Sequence, residues 1–225
     1  MLVTLVIIAL LSYLLGSLPF GYLVARAHGV NIFEVGSKNP GATNVRRVLG
    51  RRPGNLVFAL DALKGAIAVA LPLAYFALRH LSSLAMTTDQ AGRVIGAVDV
   101  REVAQVTALI FALLGHSFSC FTKFRGGKGV ATGAGGFAVL FWQGMIIGLA
   151  VWMITAILSR FVSLASILAA MSLPASAYLL HRSGTLVSAS SLVALIVVLR
   201  HRSNLARIAA GTENKIGQKP ATSQP

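Results

Sequence analysis

The chain has 225 residues, 56% of them hydrophobic and only 12% charged, with a mean hydropathy of +0.76. This composition excludes a soluble globular domain and points to an integral membrane protein. With 20 Lys+Arg against 6 Asp+Glu the formal charge is +14. The basic residues sit between long apolar segments, which reads as cytoplasmic loops and excludes a nucleic-acid surface.

Leu2 to about Arg26 is the first expected span. It begins with apolar residues, without a basic leader or a small-residue cleavage site, so a retained helix is expected and not a signal peptide. Gly16-Ser17-Leu18-Pro19 interrupts its second half, where Pro19 should kink or loosen it. Residues 28–53 are polar and basic, carrying Lys38, Arg46, Arg47, Arg51 and Arg52, and are assigned to the cytoplasm. Gly36, Ser37, Asn39, Gly41, Thr43 and Asn44 lie just before the arginines. A small-residue loop feeding a short basic helix is a candidate anion site. A purely topogenic loop would explain the arginines but not the polar cluster.

Asn55 to about Leu78 is the second span, with Asp61 and Lys64 spaced i, i+3 on one face. A structural ion pair near the membrane boundary is favoured there over a direct ligand role. In the loop 79–102, Arg79, Arg93 and Arg101 are offset by Asp89, Asp99 and Glu102, which suits the outer face. The third span, about 103–118, ends at Gly115-His116-Ser117-Phe118. His116 reads there as a ligand or as a satisfied histidine at a helix end.

Residues 124–133 read Phe-Arg-Gly-Gly-Lys-Gly-Val-Ala-Thr-Gly. Gly126, Gly127 and Gly129 let the backbone approach a ligand closely and turn its N–H groups into a concavity. Lys128 adds a point charge, and a helix starting near Val130 adds the positive end of its dipole. This reads as a phosphate site. It is not a Walker A loop, because Gly129 stands where that motif needs Ser or Thr. A flexible basic turn between two helices is the alternative.

Residues 130–158 are too long for one upright helix and short for two. Spans follow at 161–180 and 186–199, then a basic tail with Arg200, Arg202, Arg207 and Lys215. A cytoplasmic tail and an external N-terminus require an odd number of crossings. A break near Gln143 supplies it. The expected fold is an all-α polytopic bundle of seven transmembrane helices, some short or broken, N-terminus outside and C-terminus cytoplasmic. One membrane domain spans 1–217, and 218–225 is an expected disordered tail. Cys120 is the single cysteine, so no intrachain disulfide forms.

Three cytoplasmic segments thus carry unusual polar chemistry: 36–47, 124–132 and 201–215. In the last, His201 is the residue suited to acid–base work near neutral pH. Asn204 can donate an oxyanion-type hydrogen bond, and Arg207 continues the basic character. A basic tail lying on anionic lipid would explain Arg202 and Arg207 but not Asn204 or Glu213.

Across nearly its whole length the chain resembles the bacterial acyl-phosphate-dependent glycerol-3-phosphate acyltransferases. The resemblance rests on five motifs in order: G-S-x-N-x-G-A-T-N-V-x-R at 36–47, D-x-x-K-G at 61–65, G-H-x-F at 115–118, F-x-G-G-K-G-V-A-T at 124–132 and R-H-x-x-N-x-x-R at 200–207. Lys38 stands where glycine is frequent in the family, and residues 81–100 look like an extra external insertion. The resemblance implies transfer of an acyl group from acyl phosphate to glycerol 3-phosphate, giving lysophosphatidic acid, at the cytoplasmic face of the bacterial inner membrane. It implies Ser37, Arg47, Lys128, His201 and Asn204 as catalytic residues. Gly36, Asn39, Gly41, Thr43, Asn44, Gly126, Gly127, Gly129, Thr132 and Arg207 are the expected substrate and phosphate contacts. No metal or cofactor is expected. The expected partners are the two substrates, the bilayer and the soluble enzyme that supplies acyl phosphate. The chain has no G-x-S-x-G elbow and no acidic cluster. The His-x4-Asp pattern common in acyltransferases using acyl-CoA or acyl carrier protein is also missing, which favours acyl phosphate. A phosphate transporter with broken helices is a second class, disfavoured because the polar motifs sit at one membrane face. A structural assembly protein would leave the motifs without a role.

Overall fold

A computed structural model of the chain describes residues 1–78, 84–88 and 94–218. The first span is interrupted at Pro19, as expected. Helix α1 (Leu2–Ser17) ends before Pro19 and α2 (Phe20–Ala27) begins after it. Proline has no N–H, and it drives the preceding residue out of the helical region; Leu18 accordingly sits at ψ 115. The break opens the Leu18 carbonyl to the Lys64 ammonium, which donates to it at 2.7 Å.

A short basic helix, α3 (Ala42–Leu49), precedes the long α4 (Arg51–Leu78). On α4 the Lys64 ammonium lies 2.8 Å from the Asp61 carboxylate, and both side chains are 2% exposed. His116 Nδ1 stands 3.6 Å from the same carboxylate. His116 belongs to α5 (Val100–Ser117), so this buried pair ties three elements together at one end of the bundle. Removing one charge of such a pair strands the other without solvent.

The membrane bundle is all-α as expected, and one element outside it was not foreseen. Two strands, β1 (Leu84–Thr88) and β2 (Val94–Asp99), form an antiparallel hairpin with Leu84 opposite Asp99. They fall within the segment expected to be an external insertion. Short segments rich in β-branched residues favour extended backbone. Asp99 then caps α5, accepting from the Arg101 and Glu102 N–H groups at 2.9 and 3.4 Å. Residues 79–83, 89–93 and the tail from 219 lie outside the described residues, and with them most of the stretch expected to be disordered.

The ambiguous region 130–158 divides into α6 (Val130–Leu140) and α7 (Trp142–Ser159). The break is at Phe141, whose φ −151 and ψ 69 are not helical. A Cβ on Gly144 would come 2.1 Å from the Phe141 ring. The Gln143-Gly144 signal therefore marks where that buried ring lies, two residues past the break itself. Helices α8 (Val162–Leu179), α9 (Gly184–Arg200) and α10 (Arg202–Ala209) complete the chain.

Among the described residues, α1 with α2, α4, α5, α7 and α8 are long and apolar enough to cross a membrane. A sixth span is added if α9 and α10, bent by 54°, count as one. Helix α6 has 11 residues, about 16 Å, roughly half the hydrocarbon thickness. Apolar side chains such as Leu10, Ile154, Ile157, Leu179 and Leu195 are exposed on the outer faces, as lipid contact requires.

Helices in lipid gain little from apolar burial against one another, so close backbone approach matters more. A Cβ on Gly65 would meet Thr132 O at 2.0 Å, and one on Gly135 would meet Ala62 O at 1.8 Å. Glycine is thus required where α4 crosses α6. We expect Gly135→Ala to push these helices apart and cost about 1–3 kcal/mol, read as a lowered Tm of the purified protein in detergent. An unchanged Tm would contradict this packing.

Candidate active site

The first wall of the site is the loop before α3. Gly36 and Lys38 take φ +58 and +55, and the fold they create is pinned by Asn44. Its Oδ1 accepts from Ser37 N–H at 2.8 Å and its Nδ2 donates to Val35 O at 3.1 Å. Arg47, one turn later, donates to the same Oδ1 at 3.4 Å. Asn39 accepts from Gly41 N–H at 2.9 Å and reaches across to Gly126 O at 3.5 Å. Asn44 and Asn39 therefore shape the loop, while Ser37, Thr43 and Arg47 present their side chains to the cavity it borders.

The second wall is the segment between α5 and α6. Its backbone differs from the expected nest of free N–H groups. Gly127 N–H donates to His116 O at 3.0 Å. Arg200 fastens the carbonyls, donating to Gly126 O at 3.1 Å and Gly127 O at 2.8 Å. A Cβ on Gly126 would meet His116 O, and one on Gly127 would meet His116 Nε2, each at 2.1 Å. These two glycines serve close packing on His116. The ligand-facing part of the segment is Lys128, Gly129, Val130 and Ala131, the start of α6. Gly129 takes φ +80 to enter that helix.

The third wall is the bend between α9 and α10. His201 is 3% exposed and Asn204 6%. His201 Nδ1 lies 2.8 Å from Val197 O. A carbonyl can only accept, so Nδ1 carries the proton and Nε2 is bare. Burial, and then the Lys128 charge, push His201 down to about 4, so it is neutral at physiological pH. Asn204 links two charges: its Oδ1 accepts from the Lys128 ammonium and its Nδ2 donates to Glu213 at 2.6 Å. Ammonium only donates and carboxylate only accepts, which fixes the orientation of the amide. Glu213 also accepts from Ser163 Oγ at 2.9 Å and Arg207 Nε at 2.7 Å. Burial would raise Glu213, but the hydrogen bonds from Asn204, Ser163 and Arg207 outweigh it and hold the carboxyl below its ordinary value. Burial lowers Lys128 to about 8, with Glu213 pulling it up and Arg207, Arg200 and Arg47 pushing it down.

These walls enclose one cavity of about 180 Å³. It brings together Ser37, Asn39, Gly41, Thr43, Asn44, Arg47, Lys128, Gly129, His201, Asn204 and Arg207. Four expected residues do not reach it. Gly36 lies behind Asn44, Gly126 and Gly127 pack on His116, and Thr132 is fully buried against Gly65. Ser163, Glu213, Trp152, Phe58, Asp61 and His116 line the cavity and were not assigned to it from the sequence. Glu213 had a signal, as a lone acid in a basic tail. Ser163 opens an apolar helix and gave none. An apolar groove of about 190 Å³ adjoins the cavity, sharing Phe58, Gly129, Val130, Trp152 and Ser166 and continuing past Phe137, Met145 and Leu173.

Residues 6–211 match the family model described as glycerol-3-phosphate acyltransferase. A glycerol-3-phosphate acyltransferase of Nostoc sp. is 41% identical over 217 residues, covering 96% of this chain and 93% of its own. One from Geotalea daltonii is 40% identical over 203 residues, 90% of this chain and 93% of its own. Among solved structures, the glycerol 3-phosphate form of PlsY (YgiH), an integral membrane glycerol 3-phosphate acyltransferase, superposes with a TM-score of 0.80 at 31% identity. That match covers 95% of this chain and 96% of the other. The lysophosphatidic acid form of PlsY gives a TM-score of 0.78 at 30% identity over 95% of each chain. The chain is a multi-pass integral membrane protein and belongs to the glycerol-3-phosphate acyltransferase family.

Proposed function

We propose that the protein transfers an acyl group from acyl phosphate to glycerol 3-phosphate, releasing lysophosphatidic acid and inorganic phosphate. One observation carries this reading: a cavity lined by Arg47, Lys128 and Arg207 opens directly onto an apolar groove. Both substrates carry a phosphate and one carries a long chain, which is what the two spaces suit. The acyl chain lies in the groove with its carbonyl at the junction near Gly129.

The glycerol hydroxyl attacks the acyl carbon, the carbonyl oxygen takes negative charge, and the anhydride C–O bond breaks to release phosphate. A mixed anhydride is already activated, so positioning and charge neutralisation supply most of what is needed. Lys128 neutralises charge near the reacting phosphate. Asn204 holds that ammonium in place and keeps a second N–H for the developing oxyanion. Ser37 helps to hold substrate. His201 is a poor base at a pKa of about 4, so the donor phosphate takes the hydroxyl proton and leaves with it.

The cavity faces the cytoplasm of a bacterial cell, and the chain crosses the inner membrane seven times within one domain spanning 1–217. The starts of α6 and α8 both line the cavity, which supports α6 leading away from it and α7 leading back. A soluble enzyme that makes acyl phosphate would deliver it from the same side. Labelling of Ser203→Cys in a Cys120→Ser background should succeed from the cytoplasmic side alone. Labelling only from the outside would overturn the topology.

Activity variants test the cradle. Lys128→Ala and Arg47→Ala should each lower kcat/KM about ten- to a hundredfold, the loss of one charge-assisted contact, while the protein still inserts and folds. The Lys128 charge is present below its pKa of about 8 and lost above it, so kcat/KM should fall as pH rises through that value. Lys128→Arg should remove that alkaline limb. His201→Gln should keep measurable activity with the wild-type acidic limb. Loss of that limb with a fall above about a thousandfold would make His201 the general base.

A further inference from the structure

After α10 the chain turns back onto the protein. Gly211, at φ +69, directs it out of the helix, and the Thr212 and Glu213 N–H groups donate to Arg207 O at 2.8 and 3.1 Å. Residues 213–216 then run antiparallel to the turn between α7 and α8 and are fastened to it twice. Glu213 takes the Ser163 hydroxyl at 2.9 Å. Three residues on, the Arg160 guanidinium donates to Ile216 O through Nη2 at 2.7 Å and Nε at 3.2 Å. The Ile216 N–H donates back to Arg160 O at 2.8 Å. Lys215 lies over the Phe161 ring at 5.4 Å.

Arg160 occupies this place against its backbone preference. It ends α7 at φ +62, a left-handed conformation that a residue with a Cβ adopts only at a cost. Glycine is the usual residue at such a helix end. Here an exposed arginine stands instead, with both its carbonyl and its guanidinium committed to Ile216. A cation suits a helix C-terminus, but this guanidinium is directed onto the strap carbonyl of Ile216.

We infer that Arg160 is a positioning residue for the phosphate cavity: by clasping Ile216 it holds residues 213–216 down, so that Glu213 keeps Asn204 turned toward Lys128. The contacts are continuous. Arg160 grips Ile216, the intervening residues carry Glu213, Glu213 takes the Asn204 amide, and Asn204 takes the Lys128 ammonium. Glu213 binds on both oxygens and its side chain is 6% exposed, so a small displacement of the strap costs several bonds together. Without the clasp the strap can pivot at Gly211, and Lys128 loses its fixed position. Binding of the donor phosphate then weakens most, and turnover falls to a lesser extent because Asn204 and Lys128 also face the reacting group. The inference rests on the acyltransferase reading above.

The test compares Arg160→Gly and Arg160→Lys with the wild-type protein, each as the purified full chain. Glycine relieves the backbone strain and removes the guanidinium, so it separates the clasp from the stability of the helix end. We expect Arg160→Gly to raise KM for acyl phosphate about tenfold, the loss of a bond or two around a charged group. Its kcat should fall by a smaller factor than KM rises, and its Tm should be no lower. Arg160→Lys, which keeps one donor, should fall between it and wild type. Trypsin should cut after Lys215 faster in Arg160→Gly. An unchanged KM, or kcat and Tm falling together with KM unmoved, would overturn the inference. If wild type makes no lysophosphatidic acid, the acyltransferase reading fails. Trypsin still reads the clasp in that case, and an unchanged cutting rate after Lys215 overturns it.

Discussion

Glu213 is the contact on which the candidate site depends. Among the described residues it is the one carboxylate in direct hydrogen-bond contact with the cationic face of the cavity, where Arg47, Lys128 and Arg207 gather. Without it, three cations would share a half-buried space and repel one another. With it, a surplus of two positive charges remains, which matches a phosphate dianion. Glu213 also sets geometry, because its bonds to Asn204, Ser163 and Arg207 draw α8 and α10 onto one point. Electrostatics and assembly are the same interaction here.

The membrane part of the fold serves to bring distant helix ends to that point. Close crossings through glycine set α4 against α6, which fixes where the Lys128 segment begins. The Asp61–Lys64 pair, joined by the Leu18 carbonyl and His116, braces the underside of that segment. Arg200 completes the brace by binding three carbonyls at 117, 126 and 127. A charge that reads from the sequence as a membrane-topology signal is thus used as a backbone clamp. The groove formed by α6, α7, α8 and α9 is lined mainly by apolar residues, and it meets the polar cavity where Gly129 starts α6.

Much of the site was legible because each motif joins charge to small residues at short spacing. Such a cluster has no use on a lipid-facing helix. Ser37, Arg47, Lys128, His201, Asn204 and Arg207 fall together on those grounds. Four things were not legible. The roles of Gly126 and Gly127 depend on His116 packing above them, which local spacing does not encode. Ser163 and Trp152 join the cavity only through tertiary placement of α7 and α8. The helix break was read at Gln143-Gly144, yet the glycine accommodates the Phe141 ring and the break precedes it. The β-hairpin was missed because a near-neutral stretch between spans looks like loop whenever charge alone is weighed.

The central claim is that this cavity joins an activated phosphate donor to glycerol 3-phosphate. The most direct measurement is turnover by the purified protein given glycerol 3-phosphate with either acyl phosphate or acyl-CoA, following lysophosphatidic acid and inorganic phosphate together. The account predicts product from acyl phosphate alone, with one phosphate released for each lysophosphatidic acid formed. Product from acyl-CoA with acyl phosphate inert would contradict it.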